Sequence, residues 1–499
     1  MALLWPITQQ ALLSAPRPAM VDDQGTHSFM KILAGGMFVA EKIEAVTARP
    51  NVGILLPSSV AFPMALLGCW LARKCAVPFN FLLSRQELEF VIRDSGVDTI
   101  LTVGPMLDFL GGPQNLPPEV RLVHIDRMDV TGLPPFRWPP ATAEEDPAVI
   151  LYTSGTSARP KGVVLTHGNL HANVDASISH ARITQATTMM GVLPQFHSFG
   201  LTVLTLIPLY AGCRVVTSAR FVPRKFVDLI RTHHPTIVVA VPSMYNALLS
   251  VKEAAAQDMR SIEMAVSGGE ALPTSVSEAF RERFEVQLLE GYGLTETSPV
   301  LTWCTPWARR PNAVGTALPG VDILIVDENN RPLPPGQDGE ILAYGPNITP
   351  GYYHLPEENA KAFIELPVPS GEGIERRRYF RTGDIGRLDE QGLLYITGRK
   401  KEMLKVAGEI VVPREIEEVL SQHPTVRDAA VIGVADAMRG EIPVAFVELK
   451  DGQAFDEPAL RAWCRDHLAG FKVPREIRRL DALPRNPTGK VLKRSLRLD

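Results

Sequence analysis

NVGILLPSSVAFPMALLGCWLARKCAVPFNFLLSRQELEFVIRDSGVDTILTV, residues 51–103, alternates short apolar runs with stretches of helical spacing. NVGILLP reads as a buried strand, and SVAFPMALLGCWLARK follows as a helix. CAVPFNF, the helix-like SRQELEFVIRDSG and then DTILTV repeat the pattern. A β-α-β-α-β rhythm predicts mostly parallel sheets covered by helices. The rhythm returns after Pro147, where PAVILYT, RVVTSA, TIVVAVP and EMAVSGG read as a second series of buried strands. The Pro-rich interval GLPPFRWPPATAEEDP lies between the two series and reads as a linker or surface loop. From Asn312 onward, strand runs split by Pro-Gly and Asp-Glu-Asn-Asn turns point to a small antiparallel or barrel-like β subdomain.

After Gly398 the chain reads as a compact α+β unit of about one hundred residues, a normal domain size. Its first helix, PREIEEVLSQHP, sets Ile416, Val419 and Leu420 on one face, with Pro413 suited to the first turn. The expectation is an α/β protein. A large N-terminal domain covers residues 1–398, with mixed, mostly parallel sheets under helices, and a small C-terminal domain covers residues 399–499.

A chain of 499 residues is too long for one hydrophobic core, so more than one domain is expected on size alone. The net charge of −4 gives no ground for a nucleic-acid partner or a polybasic membrane anchor. The five cysteines are scattered without any Cys-x-x-Cys spacing, which argues against a disulfide framework or zinc cluster and fits a reducing cytoplasm. The longest uncharged run, SFGLTVLTLIPLYAGC after His197, is short for a membrane span and broken by Gly200, Pro208 and Gly212. It reads as a buried core helix, and no transmembrane segment is expected.

The chemistry concentrates in a few segments. Tyr152-Thr-Ser-Gly-Thr-Ser-Ala-Arg-Pro-Lys161-Gly162 follows the strand PAVIL. Hydroxyls on Thr153, Ser154, Thr156 and Ser157, a flexible Gly155 and the terminal Lys161 can wrap a polyphosphate. On the hydroxyls and glycine alone a plain strand-to-helix turn is an equal reading, and the closing Pro-Lys-Gly weighs against it. The spacing is not that of a Walker loop. In Glu290-Gly-Tyr-Gly-Leu-Thr-Glu296, two glycines leave backbone room beside Tyr292, whose ring can stack on a base. Thr295 offers a hydroxyl, and Glu296 a hard oxygen suited to Mg²⁺.

These segments resemble the motifs of the adenylate-forming superfamily, which includes acyl-CoA synthetases, nonribosomal adenylation domains and luciferases. The first loop is similar to that family's Thr-Ser-Gly-Thr-Thr-Gly-x-Pro-Lys-Gly, with Ser157 for the second threonine and Ala158 for the usual glycine. The resemblance runs in order from about Asn51 to Lys490. It implies ATP, Mg²⁺ and coenzyme A as cosubstrates. It implies that Tyr292 stacks on adenine, Thr295 bonds phosphate, Glu296 holds the metal, and Gly269 and Glu270 in Ser267-Gly-Gly-Glu270 lie along the adenine face. Asp384, in Thr-Gly-Asp, would accept the ribose hydroxyls together with Arg399. Lys401, two positions beyond Arg399, would be the hinge of a mobile C-terminal domain. Lys490, in Pro-Thr-Gly-Lys490, would serve adenylation. Lys405, on a strand with Gly408, would serve the thiol step.

Pro194-Gln-Phe-His197-Ser-Phe-Gly200 resembles the segment whose histidine meets the substrate carboxylate. Amino-acid-activating relatives carry an aspartate here for the α-ammonium, whereas this chain has His197-Ser198 and then an apolar run. An ammonium without a counter-charge there would be costly. The surroundings look most like the fatty acyl-CoA and acyl–acyl-carrier-protein synthetase branch. That implies a medium- or long-chain fatty acid, with coenzyme A as acceptor and a carrier-protein thiol as the alternative.

Overall fold

The strand Asn51–Leu55 is buried at every position, as a strand flanked on both sides within a covered parallel sheet must be. It lies in a seven-stranded sheet ordered Gly351–Tyr352, Lys161–Thr166, Pro147–Thr153, Cys75–Pro78, Asn51–Leu55, Thr99–Thr102, Arg121–His124. The computed structural model describes residues 3–129, 132–153, 159–370, 373–406, 409–436, 440–485 and 491–497. Helix Ala61–Leu71 covers this sheet and crosses helix Phe29–Val46 so closely that a Cβ on Gly68 would lie 2.4 Å from Val39 Cγ1. Helix Arg85–Asp94 begins at a capping box in which Ser84 and Glu87 satisfy each other's backbone N–H groups.

The second sheet has nine strands. From one edge the order is Thr316–Ala317, Val300–Trp303, Leu288–Gly293, Met264–Ser267, Ile237–Ala240, Thr188–Gly191, Arg214–Val216, Pro18–Asp22 and Gly25–Ser28. Two assignments differ from the sequence reading. PAVILYT pairs in parallel with Cys75–Pro78 and so completes the first sheet, where it forms a hairpin with Lys161–Thr166. Apolar periodicity tells that a strand is buried but not which sheet buries it. The chain's first strand, unread in the sequence, docks beside Arg214–Val216 with Met20 opposite Val215.

An antiparallel five-stranded unit follows, as expected from the turn-rich stretch after Asn312. Asp322–Val326 pairs with Gly339–Tyr344, which pairs with the long strand Gly373–Leu388. That strand also carries Phe363–Ser370 and Leu394–Arg399. The C-terminal unit is a second five-stranded sheet centred on Gly440–Leu449 and covered by helices Pro413–Ser421 and Glu457–His467. Its separate core includes Ile416, Leu420, Val431, Val447 and Cys464. Among the described residues, no helix is long and apolar enough to cross a membrane.

Candidate active site

In open sheets of parallel strands, ligands sit beyond the carboxyl ends, where loops fan apart. Here the carboxyl ends of both sheets open on one cleft of about 1580 Å³. Pro57 and Ser58, Asn80 to Leu83, and Pro105 and Met106 follow three strands of the first sheet. Gly268 to Glu270, Val241, Val192 to Pro194 with Phe196 to Gly200, and Ser218 to Phe221 follow four of the second. The cleft is wider than a single small-molecule pocket and has room for two substrates side by side.

One half is polar. Tyr292, Gly293, Thr295 and Glu296 lie at and just beyond the end of Leu288–Gly293. A Cβ on Gly293 would lie 1.8 Å from the Pro299 carbonyl, so the tight return of the chain demands glycine there. At Gly291 a Cβ would meet the Thr302 carbonyl oxygen at 3.5 Å, ordinary van der Waals contact, so packing does not demand glycine there. The Tyr292 hydroxyl donates to Asp384 Oδ2 at 2.6 Å, while Arg399 Nε lies 3.1 Å from Asp384 Oδ1. Asp384 is almost fully buried, yet each carboxylate oxygen keeps a second lone pair for a ligand. Burial, reinforced by the Asp384 carboxylate, holds the Tyr292 phenol far above its usual range.

Thr295 is buried beside Ser198, with their hydroxyl oxygens 3.3 Å apart. Glu296 Oε1 accepts from the Tyr352 hydroxyl at 2.9 Å. Burial lifts the Glu296 carboxyl above the ordinary range, and the Tyr352 hydrogen bond and Arg399 draw it partly back. Gly269, at φ +84°, and Glu270 line the same wall. Thr153 also faces the cleft. Lys161 pairs opposite it in the hairpin, its ammonium in a close ion pair with Glu358 and 5.5 Å from the centre of the Tyr352 ring. Ser154, Gly155, Thr156, Ser157 and Lys490 lie outside the described residues, as does Gly408.

The other half is apolar. His197 caps the short helix Ser198–Leu201, its Nδ1 accepting from the Phe199 N–H at 3.4 Å. A Cβ on Gly200 would fall 2.2 Å from the Pro194 carbonyl, which fixes that loop. The uncharged run continues as a π-turn, Thr202–Leu206, and the helix Ile207–Ala211. It is a buried core helix, as expected, with Val203 reaching the cleft. Phe81, Met106, Phe196, Phe199, Phe221 and Met244 supply the rest of this wall. Among the described lining residues there is no aspartate. Its glutamates are Glu87, committed to its helix cap, Glu296, which accepts from Tyr352, and Glu270 on the nucleotide wall, while Arg220 brings a cation next to Phe221.

The C-terminal unit closes the mouth with Arg485, Leu492 and Arg494. Lys405, exposed on strand Leu404–Val406, does not line the cleft, and its backbone N–H donates to Glu441. Lys401 sits in the turn Lys400–Glu402 between two anchors. Lys400 Nζ is 3.0 Å from Glu340 in the antiparallel unit, and Glu402 is 2.7 Å from Lys493 Nζ in the C-terminal unit. Helix Pro413–Ser421 meets the large domain where Thr274 donates to Glu418 at 3.0 Å. Glu290 is shielded beside it and accepts from the Leu272 N–H at 3.2 Å. Burial pushes the Glu290 carboxyl up to about 7, against the opposing pull of Arg414.

Tyr352, Glu358, Arg485 and Arg494 escaped the sequence reading. The first two are far along the chain from their partners and carry no local pattern. The two arginines flank Pro-Thr-Gly-Lys490 and could have been suspected from that position.

Comparison with known proteins agrees with this arrangement. The AMP-binding enzyme family matches residues 7–353, and the AMP-binding enzyme C-terminal domain matches residues 415–490. A long-chain-fatty-acid–CoA ligase of Bacillus subtilis is 32% identical across 89% of this chain and 85% of its own. A feruloyl-CoA synthase of Amycolatopsis is 29% identical across 99% and 98%. O-succinylbenzoate coenzyme A synthetase from Bacillus subtilis, solved with ATP and a magnesium ion, superposes with a TM-score of 0.85. It is 27% identical, with 99% of each chain covered. With both halves of the family present in order and one cleft joining them, the chain belongs to the AMP-binding enzymes of the adenylate-forming superfamily.

Proposed function

We propose that the protein is an AMP-forming acid–thiol ligase that activates a medium- or long-chain fatty acid as its acyl-adenylate and transfers the acyl group to coenzyme A. The observation that carries this reading is the pairing, in one cleft, of a nucleotide wall with a wall that is mostly apolar and aromatic, with His197 also lining it. The named relatives act on unlike acids, so the choice of acid rests on that apolar wall.

In the first step a carboxylate oxygen attacks the α-phosphorus of ATP, and pyrophosphate leaves. Tyr292 and the Gly269–Glu270 edge receive the base, and Asp384 with Arg399 the ribose. Thr153, Lys161 and the Ser154–Ser157 loop hold the departing phosphates, for which Lys161 exchanges the Glu358 carboxylate. His197 orients the acid's carboxylate. Lys490 offsets the charge that builds as one anion meets another. Among the described residues no cluster of three acidic, histidine or cysteine side chains could cage a metal. That fits Mg²⁺, which is held through substrate phosphates and one or two carboxylates. Glu296 is the residue that would hold it, and the ion supplies Lewis-acid stabilisation of the phosphates.

In the second step the thiolate sulfur attacks the acyl carbon and AMP leaves. The C-terminal domain, residues 399–499, turns about Lys401 to bring the Lys405 face to the cleft. The deciding experiment is pyrophosphate release across an acid panel with coenzyme A, an acyl carrier protein or neither present. A fatty acid giving the highest kcat/KM with coenzyme A supports the reading. An aryl acid or amino acid as best substrate overturns the acid, and turnover only with the carrier protein overturns the acceptor.

A further inference from the structure

Residues 492–494 divide their side chains between two tasks. Leu492 and Arg494 line the cleft. Lys493, between them, reaches Glu402 Oε2 at 2.7 Å and Glu417 Oε1 at 2.8 Å. Glu402 ends the turn that contains Lys401, and Glu417 lies on helix Pro413–Ser421. Glu417 Oε1 also accepts the Val431 N–H at 2.7 Å, which ties the helix to the sheet beneath it. The base of the segment is closed by a bridge between Arg485 and Val491 and by the Leu492 N–H, which donates to the Pro484 carbonyl at 2.6 Å.

We propose that Lys493 is a positioning residue, whose paired contacts with Glu402 and Glu417 lock the chain that follows Lys490 to the turn that contains the hinge and to helix Pro413–Ser421. This rests on the reading of Lys490 as the adenylation lysine. A lysine side chain is long and freely rotating, so the place of its ammonium is only as well defined as the backbone that carries it. Rotation about Lys401 swings the C-terminal unit as a body. A brace joining residue 402 to residue 493 makes the chain from Val491 onward follow that rotation without lag.

The three groups suit a permanent brace. Burial draws the Lys493 ammonium down, but the Glu417 and Glu402 carboxylates more than reverse this, so it stays charged. Burial lifts the Glu417 carboxyl despite Lys493. If the lysine is removed, Glu417 still accepts the Val431 N–H, and its burial favours the neutral form over an unpaired charge.

The test separates the two half-reactions in Lys493→Met, Lys493→Arg, Glu402→Gln and the double variant Lys493→Met/Glu402→Gln, with Lys490→Ala as reference. Lys493→Met is expected to slow pyrophosphate release roughly 10–100-fold, the scale of a small misplacement of a reacting group. It should leave thioester formation from synthetic acyl-AMP within about twofold. Lys493→Arg should restore most of the loss. The double variant should be no worse than Lys493→Met alone. An unchanged adenylation rate, or equal loss in both half-reactions with a lowered melting temperature, overturns the inference. If Lys490→Ala damages adenylation while Lys493→Met does not, the brace alone falls. If both spare adenylation, the reading of Lys490 falls and the brace with it.

Discussion

Two carboxyls, Glu296 in the cleft and Glu290 beside helix Pro413–Ser421, show how burial sets the chemistry of single residues. Glu296 is lifted by burial and held by the Tyr352 hydroxyl. Glu296→Gln keeps the volume and loses the charge, so folding should change little while the Mg²⁺ concentration for half-maximal pyrophosphate release rises several-fold. An unchanged magnesium titration removes Glu296 from the metal site. Glu290 is the second case, raised from an ordinary 4.5 to about 7. Between those values the unfolded chain has lost this proton and the folded chain keeps it, so folding stability falls as pH rises through the interval. Above pH 7 the ionised, shielded carboxylate costs the fold about 1–3 kcal/mol. Urea denaturation of Glu290→Gln should match the parent at pH 5 and exceed it by that amount at pH 8. A constant difference across the range would show that Glu290 is not the titrating group.

In the proposed cycle the turn Lys400–Glu402 is the element about which the C-terminal unit would turn, because its two ends are bonded to different units. Lys401→Pro fixes φ at the residue between those anchors. Pyrophosphate release should stay within a few-fold of the parent, while thioester formation from synthetic acyl-AMP should collapse. Normal thioester formation would move the hinge elsewhere. At this scale much was legible in the sequence. The β-α-β rhythm and the small C-terminal unit could be read because buried parallel strands are continuous apolar runs and amphipathic helices have a period. Tyr292, Thr295, Glu296, Asp384, Arg399 and His197 stood out because each sits in a short segment with its own glycines or hydroxyls; the structure sets five of them on one cleft and buries Asp384 against Tyr292 and Arg399. Contacts made across the fold were not legible. Nothing near Lys161 announces Glu358, nothing near Glu296 announces Tyr352, and PAVILYT carries no mark of the sheet it joins.

The whole molecule sets the limit on substrate size, since the apolar wall draws on loops from both sheets. Each methylene buried there should add about 0.8 kcal/mol, or roughly fourfold in kcat/KM, until the wall is covered. A series of linear acids should climb steeply with length and then level off or fall, with acetate several orders of magnitude below the best. A flat profile would mean that the chain is not buried. The position of the first strand has a consequence of another kind. Pro18–Asp22 pairs beside Arg214–Val216, roughly two hundred residues later in the chain. During synthesis the first strand leaves the ribosome and then waits, at about 5–20 residues per second, for roughly 10–40 s before its partner exists. Throughout that interval its apolar side chains Ala19, Met20 and Val21, which point to both faces, have no sheet to bury them. The nascent chain therefore offers a holdase this segment during that interval, and the second sheet can gain that edge once Arg214–Val216 is made, before its five strands between Ile237 and Ala317 exist.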